Sequence, residues 1–283
     1  MDDRLRPLWN FDDLDGSEAT FREQLAGEMS DAGRAEVLTQ LARIQGLRDA
    51  FEAGDALLDE ASRLGSGTRS VEARVDLERG RLRRSSGDLN AARPLFESAY
   101  AGGLDTEQYF LAADAAHMAA LVAGDRDRFV EWTQRGIEVA ERNDPAAYWL
   151  GPLLNNLGWE HYGAGDSEQA LDAFERALRA RERDGSNAQA IEIARYAVGK
   201  TLHALGRTGE AIPLLERAVA WAEDEGAPDG WFHEELAAEY AAVGRDADAR
   251  AQAALAIPLL ERDDPSFAED AERSGRLAAL AST

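Results

Sequence analysis

A chain of 283 residues accommodates one large domain, two ordinary ones or a repeat array, and 45% hydrophobic with 30% charged residues, 25 Gly and 8 Pro exclude a disordered, collagen-like or low-complexity chain. The absence of cysteine removes disulfides, thiolate metal sites, iron–sulfur clusters and thiol nucleophiles together. The 54 acidic against 31 basic residues give a formal charge of −23, which repels nucleic acid and anionic membrane surfaces, so neither is an expected partner.

The chain starts MDDRLRPLWNFDDLDG, an acidic stretch without a basic region leading into an apolar one. No window approaches the roughly 18 apolar residues of a membrane span, and a cytoplasmic location is expected. Residues 17–29 read as one amphipathic helix that completes an N-terminal segment, 1–33.

Six turn residues follow at a regular interval: Asp49, Gly87, Gly124, Gly165, Gly206 and Gly244, separated by 38, 37, 41, 41 and 38 residues. Seven residues before each stands Ala42, Gly80, His117, Gly158, Gly199 or Ala237, and five after it Gly54, Ala92, Phe129, Ala170, Ala211 or Ala249. Nine after comes Leu58, Phe96, Thr133, Phe174, Leu215 or Ala253, and twelve after, Ala61, Ala99, Gly136, Ala177, Ala218 or Ala256. Small residues at fixed spacing let two helices approach and the larger one fills the gap, so each unit reads as a helical hairpin. The unit around Gly124 departs most, with His117, Phe129 and Thr133 where small, small and large residues are expected, and local distortion is predicted there. Pro94 and Pro213 fall early in the second helix of their units, where a missing amide donor costs little, while Pro145, Pro228 and Pro265 fall in the joints between units. Residues 266–281 read as a closing helix, whose Phe267, Ala271, Leu277 and Leu280 would cover the end of the last hairpin.

Two units are the clearest. Residues 153–183 carry Leu157-Gly158, Gly165, Ala170, Phe174 and Ala177; residues 191–223 carry Val198-Gly199, Gly206, Ala211, Leu215 and Ala218. These resemble the tetratricopeptide repeat, and the long period is similar to the extended variety of kinesin light chains and bacterial regulators. The resemblance covers roughly residues 34–262. It implies an all-α, right-handed superhelical solenoid of about six hairpins over 34–265, with a capping helix over 266–283, and first helices that line a concave groove.

In the family, ligand-contacting side chains come from the first helix of each hairpin. Here they fall ten, six and three residues before each turn, on one helical stripe: Thr39, Arg43, Gly46; Leu77, Arg81, Arg84; Asp114, Met118, Leu121; Asn155, Trp159, Tyr162; Tyr196, Lys200, His203; Glu234, Ala238, Ala241. One turn further back the stripe adds Arg74 and Trp231. Asn155, Trp159, Tyr162, Tyr196, Lys200 and His203 would place an amide, aromatic faces and cationic donors on adjacent helices, as peptide recognition requires; the competing reading is that the aromatic residues pack the repeats together. Arg74, Arg81 and Arg84 offer guanidinium forks to a carboxylate or phosphate, against which Glu78, four after Arg74 and three before Arg81, offers intrahelical pairing. The two-carboxylate clamp of chaperone-binding family members wants a Lys and an Asn in its first repeat; Thr39 and Arg43 do not supply them, and Leu77 interrupts the next.

Catalytic and metal patterns fail on inspection. His233-Glu234 opens like a zincin helix, but Ala237 stands where the second histidine belongs, and no G-x-x-x-x-G-K-[ST] loop occurs. Asp114 and His117 share a helix face, where a packed histidine is the simpler reading of the pair. The expectation is therefore a module, not an enzyme, that holds a protein or peptide segment in its groove without cofactor or metal. The alternative is a ligand- or peptide-responsive bacterial regulator acting through a partner protein. Neither the partner's identity nor the oligomeric state is legible.

Overall fold

The computed structural model describes residues 3–185 and 187–282, and among them there is no strand. Fourteen α-helices occur among the described residues, with a short 3₁₀ turn at Arg6–Leu8 and a second at Asp144–Trp149. Six hairpins follow one another, as the spacing predicts: α2 (Asp31–Leu47) with α3 (Phe51–Leu64), α4 (Arg69–Ser85) with α5 (Leu89–Asp105), α6 (Tyr109–Leu121) with α7 (Arg126–Arg142), α8 (Leu150–Gly163) with α9 (Ser167–Arg183), α10 (Ala188–Ala204) with α11 (Thr208–Asp224), and α12 (Gly230–Ala242) with α13 (Asp246–Asp263). They are flanked by α1 (Leu14–Gly27) and α14 (Ala271–Ser282). No helix among the described residues is long and apolar enough to cross a membrane.

All six turn residues take positive φ, from 58° at Asp49 to 88° at Gly87. That conformation suits glycine, and Asp49 is the one exception, a residue type that tolerates it. Five turns close with the same bond, from the amide after the turn residue to the carbonyl four before it: Ala50 to Gln45, Asp88 to Arg83, Asp166 to His161, Arg207 to Leu202 and Arg245 to Tyr240, at 2.8 to 2.9 Å. This is the Schellman closure of a helix end. At Gly124 the helix ends one residue sooner, and the amides of Val122 and Ala123 fall back on Ala119 and Ala120 at 3.3 and 3.1 Å. The predicted distortion of the third unit is thus a shortened α6 and the 3₁₀ turn that follows α7, with the hairpin itself intact.

The chain forms two compact units, divided between Leu153 and Leu154 within α8. In the N-terminal unit, Phe21, Leu41, Ile44, Leu58 and Leu82 build one cluster and Leu77, Phe96, Leu111 and Trp132 another. In the C-terminal unit, Phe174, Leu215, Phe232 and Leu236 build the main cluster, while Ala253, Ala256, Leu260, Phe267 and Leu277 form a second one where α14 packs on the last hairpin.

Two boundaries and the place of two prolines differ from the sequence reading. The first flanking helix starts at Leu14 because the Asp13 carboxylate accepts the Gly16 amide at 2.9 Å and so caps it earlier. The closing helix starts at Ala271, capped by Asp270 on the Arg273 amide, since Ser266 and Phe267 belong to a turn nucleated by Asp264. Pro94 and Pro213 each occupy the sixth residue of their helix, one turn beyond the free amides, so each deprives a carbonyl one turn back of its helical donor.

Candidate functional site

In the C-terminal unit, α8, α10, α12 and α14 surround a cleft of about 770 Å³. Asn187 caps α10 on the Ala190 amide at 2.7 Å, and Asp229 caps α12 on the amides of Trp231 and Phe232 at 2.8 and 3.2 Å, which sets the register of both helices. Trp159, Tyr162, Tyr196, Lys200, His203, Trp231 and Glu234 all line the cleft, each from the predicted stripe. Asn155 is not among the lining residues; it is half-buried, and its Oδ1 has no hydrogen-bond partner.

The charges of the cleft are already matched. Lys200 Nζ donates to Glu235 Oε2 at 2.6 Å and lies 5.8 Å from the Tyr196 ring centroid. Burial alone would lower the Lys200 pKa, but the fields of Tyr196 and Glu235 outweigh it and hold the ammonium charged above its usual range. Burial raises the Tyr196 phenol. Arg273 forks onto Glu234, Nε to Oε1 at 2.7 Å and Nη2 to Oε2 at 2.5 Å, and gives Nη1 to Asp264 at 2.6 Å. The bond to Glu234 is the main reason its pKa rises. His203 Nδ1 stands 2.6 Å from Glu239 Oε1, while Glu239 is fully buried and its Oε2 has no partner. His203, Glu235 and Glu239 each offer a donor atom within 4.8 Å of the others, an imidazole and two carboxylates that could hold a divalent transition-metal ion.

In the N-terminal unit the basic residues separate into distinct roles. Arg81 donates Nη2 to both oxygens of Asp114, at 2.5 and 2.6 Å, and Nη1 to Glu78 at 2.5 Å. Burial opposes the Arg81 charge, yet the two carboxylates raise its pKa further, and burial raises that of Glu78. Arg74 turns from Glu78 to Asp3, 3.1 Å away. Arg43 lies over the rings of Trp9 and Phe11, 5.3 and 5.2 Å from their centroids. Arg84 is exposed. Intrahelical pairing with Glu78 therefore accounts for Arg81 alone. Asp114 answers Arg81, and burial lowers the pKa of His117, whose ring sits 5.3 Å from that of Trp149.

A family model for the tetratricopeptide repeat matches residues 151–184 and 193–225, the same two units that read most clearly. The chain thus contains two tetratricopeptide repeats, one in each of those segments. Among solved structures, the apo form of RapI is similar at 13% identity and TM-score 0.72, covering 93% of this chain and 75% of that one. Aspartyl phosphate phosphatase F from Bacillus subtilis gives 13% and 0.58, covering 98% and 76%. The apo form of the quorum sensor NprR from B. thuringiensis gives 12% and 0.57, covering 98% and 85%. These likenesses show the fold. No curated protein sequence matches the chain.

The repeat frame missed Glu235, Glu239, Arg273, Leu277 and Leu280. Glu235 lies one residue off the stripe, on the shoulder of α12. Glu239 pairs with His203 across 36 residues of sequence. The last three lie on α14, which the repeats present as a cap and which also walls the cleft.

Proposed function

We propose that the C-terminal cleft binds an extended protein or peptide segment, and that this binding, not catalysis, is the work of the repeats. The observation that carries this reading is the joint lining: Trp159, Tyr162, Tyr196 and Trp231 offer apolar and ring-face contact, while Lys200–Glu235 and Arg273–Glu234 offer paired charges that a ligand can share. Aromatic and Arg anchors in a concave site dominate binding energy, and prepaired charges orient a ligand at little reorganisation cost. A peptide supplies both partners, since its backbone and carboxylates accept from the cations and its amides donate to the carboxylates.

The same cleft serves a second reading, a regulator that responds to a ligand and passes the response to a partner protein. RapI and NprR, the latter named as a quorum sensor, share the fold and support it at that level. A random peptide library panned against the purified chain tests both. Selected peptides should share a carboxylate and an aromatic or aliphatic residue, and lose affinity for the Trp159→Ala variant. A library that yields no peptide dependent on Trp159 overturns the peptide reading, and small-molecule binding at the same residues then favours the regulator.

A further inference from the structure

Residues 3–11 of the chain lie across the first helices of the N-terminal unit, on the stripe read as groove. Asp3 accepts from Arg74 on α4, Trp9 Nε1 donates to Gln40 on α2 at 2.8 Å, and the Arg43 guanidinium faces the stacked rings of Trp9 and Phe11. Arg6 lies 3.7 Å from the Tyr148 centroid and 4.6 Å from that of Phe110. Of these nine residues Leu5 alone is fully buried, and Phe11 is 56% exposed. The segment is thus held by side-chain contacts of the kind a bound peptide makes.

It fills the groove incompletely. Between the segment and the helices a cavity of about 110 Å³ persists. Around it three buried atoms have no hydrogen-bond partner: Arg74 Nε, Glu78 Oε2 and Trp149 Nε1, and Glu78 is 3% exposed. Arg43, whose pKa is lowered first by burial, has no carboxylate partner among the described residues. A buried polar atom without a partner forfeits its hydration and gains no bond in return, so an occupant that satisfies these atoms has an advantage over residues 3–11. Two donors and one acceptor left open are matched by a peptide amide, whose carbonyl accepts and whose N–H donates.

We propose that the N-terminal unit carries a second peptide-binding site, occupied in cis by residues 3–11 and open to a partner peptide that places a carboxylate on Arg74 or Arg43, aromatic side chains beside Arg43, and a backbone amide between Trp149 and Glu78. The inference rests on the reading that these repeats hold peptides, and it adds the ligand chemistry and a built-in competitor. A tethered occupant acts at high effective concentration, so it lowers the apparent affinity for any partner by the fraction of time the site is open.

The test uses the full chain and a labelled synthetic peptide of residues 1–12, MDDRLRPLWNFD. In an Asp3→Asn/Trp9→Ala chain the cis occupant is weakened, and the peptide should bind at least about tenfold more tightly than to the unaltered chain. Adding Arg74→Ala should abolish the gain, and a peptide carrying the same two changes should not bind. Equal affinity for both chains, or no binding to either, overturns the proposal. Should the double variant lose its helical circular dichroism, hydrogen exchange on the unaltered chain decides: the amides of residues 5–11 should exchange through local opening faster than those of α2 and α4, and equal protection overturns the proposal. Neither measurement touches Trp159 or Lys200, so failure here leaves the C-terminal cleft standing.

Discussion

Gly158 on α8 sits against the ring of Phe174 on α9 so closely that a Cβ added to it would lie 2.5 Å from Cε1. The pair is one instance of the small and large columns seven before and nine after each turn, and Gly80 meets Phe96 at the same distance. Phe174 is fully buried and cannot retreat without displacing its neighbours. Gly158→Ala should destabilise the chain by about 1–3 kcal/mol, the usual range for overpacking. A thermal melt of the variant measures it, and an unchanged midpoint would mean that the hairpin contact is looser than this geometry.

Arg81 pairs with two carboxylates that are almost entirely buried, Asp114 and Glu78, with side chains 6% and 4% exposed. Removing one member of a buried ion cluster leaves uncompensated charge. Arg81→Met should therefore cost about 3–5 kcal/mol in urea unfolding at neutral pH. The triple variant with Glu78→Gln and Asp114→Asn should recover most of that loss, because none of the three residues then carries a charge. A triple variant as unstable as the single one would show that packing of the guanidinium, not its charge, matters.

Tyr240, 5% exposed, donates its hydroxyl to Glu216 at 2.6 Å, and burial first, then that bond, push its pKa up to about 12 from the ordinary 10.0. The folded state keeps the proton that the unfolded chain loses sooner. Its contribution to stability is then fully present below pH 10.0 and is lost as the pH rises towards about 12. Urea melts across that window should show an alkaline decline that is smaller in Tyr240→Phe. Identical declines in the two proteins would count against the raised value.

Much of this architecture was legible because it is periodic. A small residue seven before a turn and a large one nine after it report a hairpin contact wherever they recur, and the left-handed turns, Asp49 included, stand at the positions that alignment gives. The C-terminal cleft followed from the same frame, since Trp159, Lys200 and Glu234 come from three successive first helices. What stayed hidden depends on chain segments outside the repeat. No spacing rule connects Asp3 with Arg74 or Arg273 with Glu234, because those contacts depend on where non-repeating ends fold back. Helix boundaries slipped for a local reason: Asp13 and Asp270 cap positions that hydrophobic pattern alone does not mark.

The closing helix carries two duties, which makes its removal informative. Phe267 and Leu277, each 2% exposed, cover Ala237, Ala253, Ala256 and Leu260, while Arg273 holds Glu234 at the cleft. A chain ending before Ser266 should expose that apolar surface and associate, as light scattering would detect. Arg273→Ala should leave the association state of the full chain unchanged and weaken cleft binding only. A truncated protein that associates no more than the full chain would show that α14 is dispensable as a cover.

Trp159 and Lys200 separate recognition from packing within the same cleft. Trp159 meets Phe174 edge-on at 4.9 Å between ring centroids and also lines the cleft, so Trp159→Ala should lower both stability and peptide affinity, the latter by about 1 kcal/mol or more. Lys200→Ala carries its own structural cost, because Glu235 is 5% exposed and would lose its cation; about 1–3 kcal/mol is expected. Pairing Lys200→Met with Glu235→Gln removes that cost, since neither residue then carries charge. If Lys200 reads a ligand carboxylate, the double variant should regain stability and still bind weakly. The Lys200 contribution should fade as salt rises, and the Trp159 contribution should hold. Full affinity in the double variant would remove Lys200 from the binding surface and leave the aromatic residues and the Arg273–Glu234 pair as its basis.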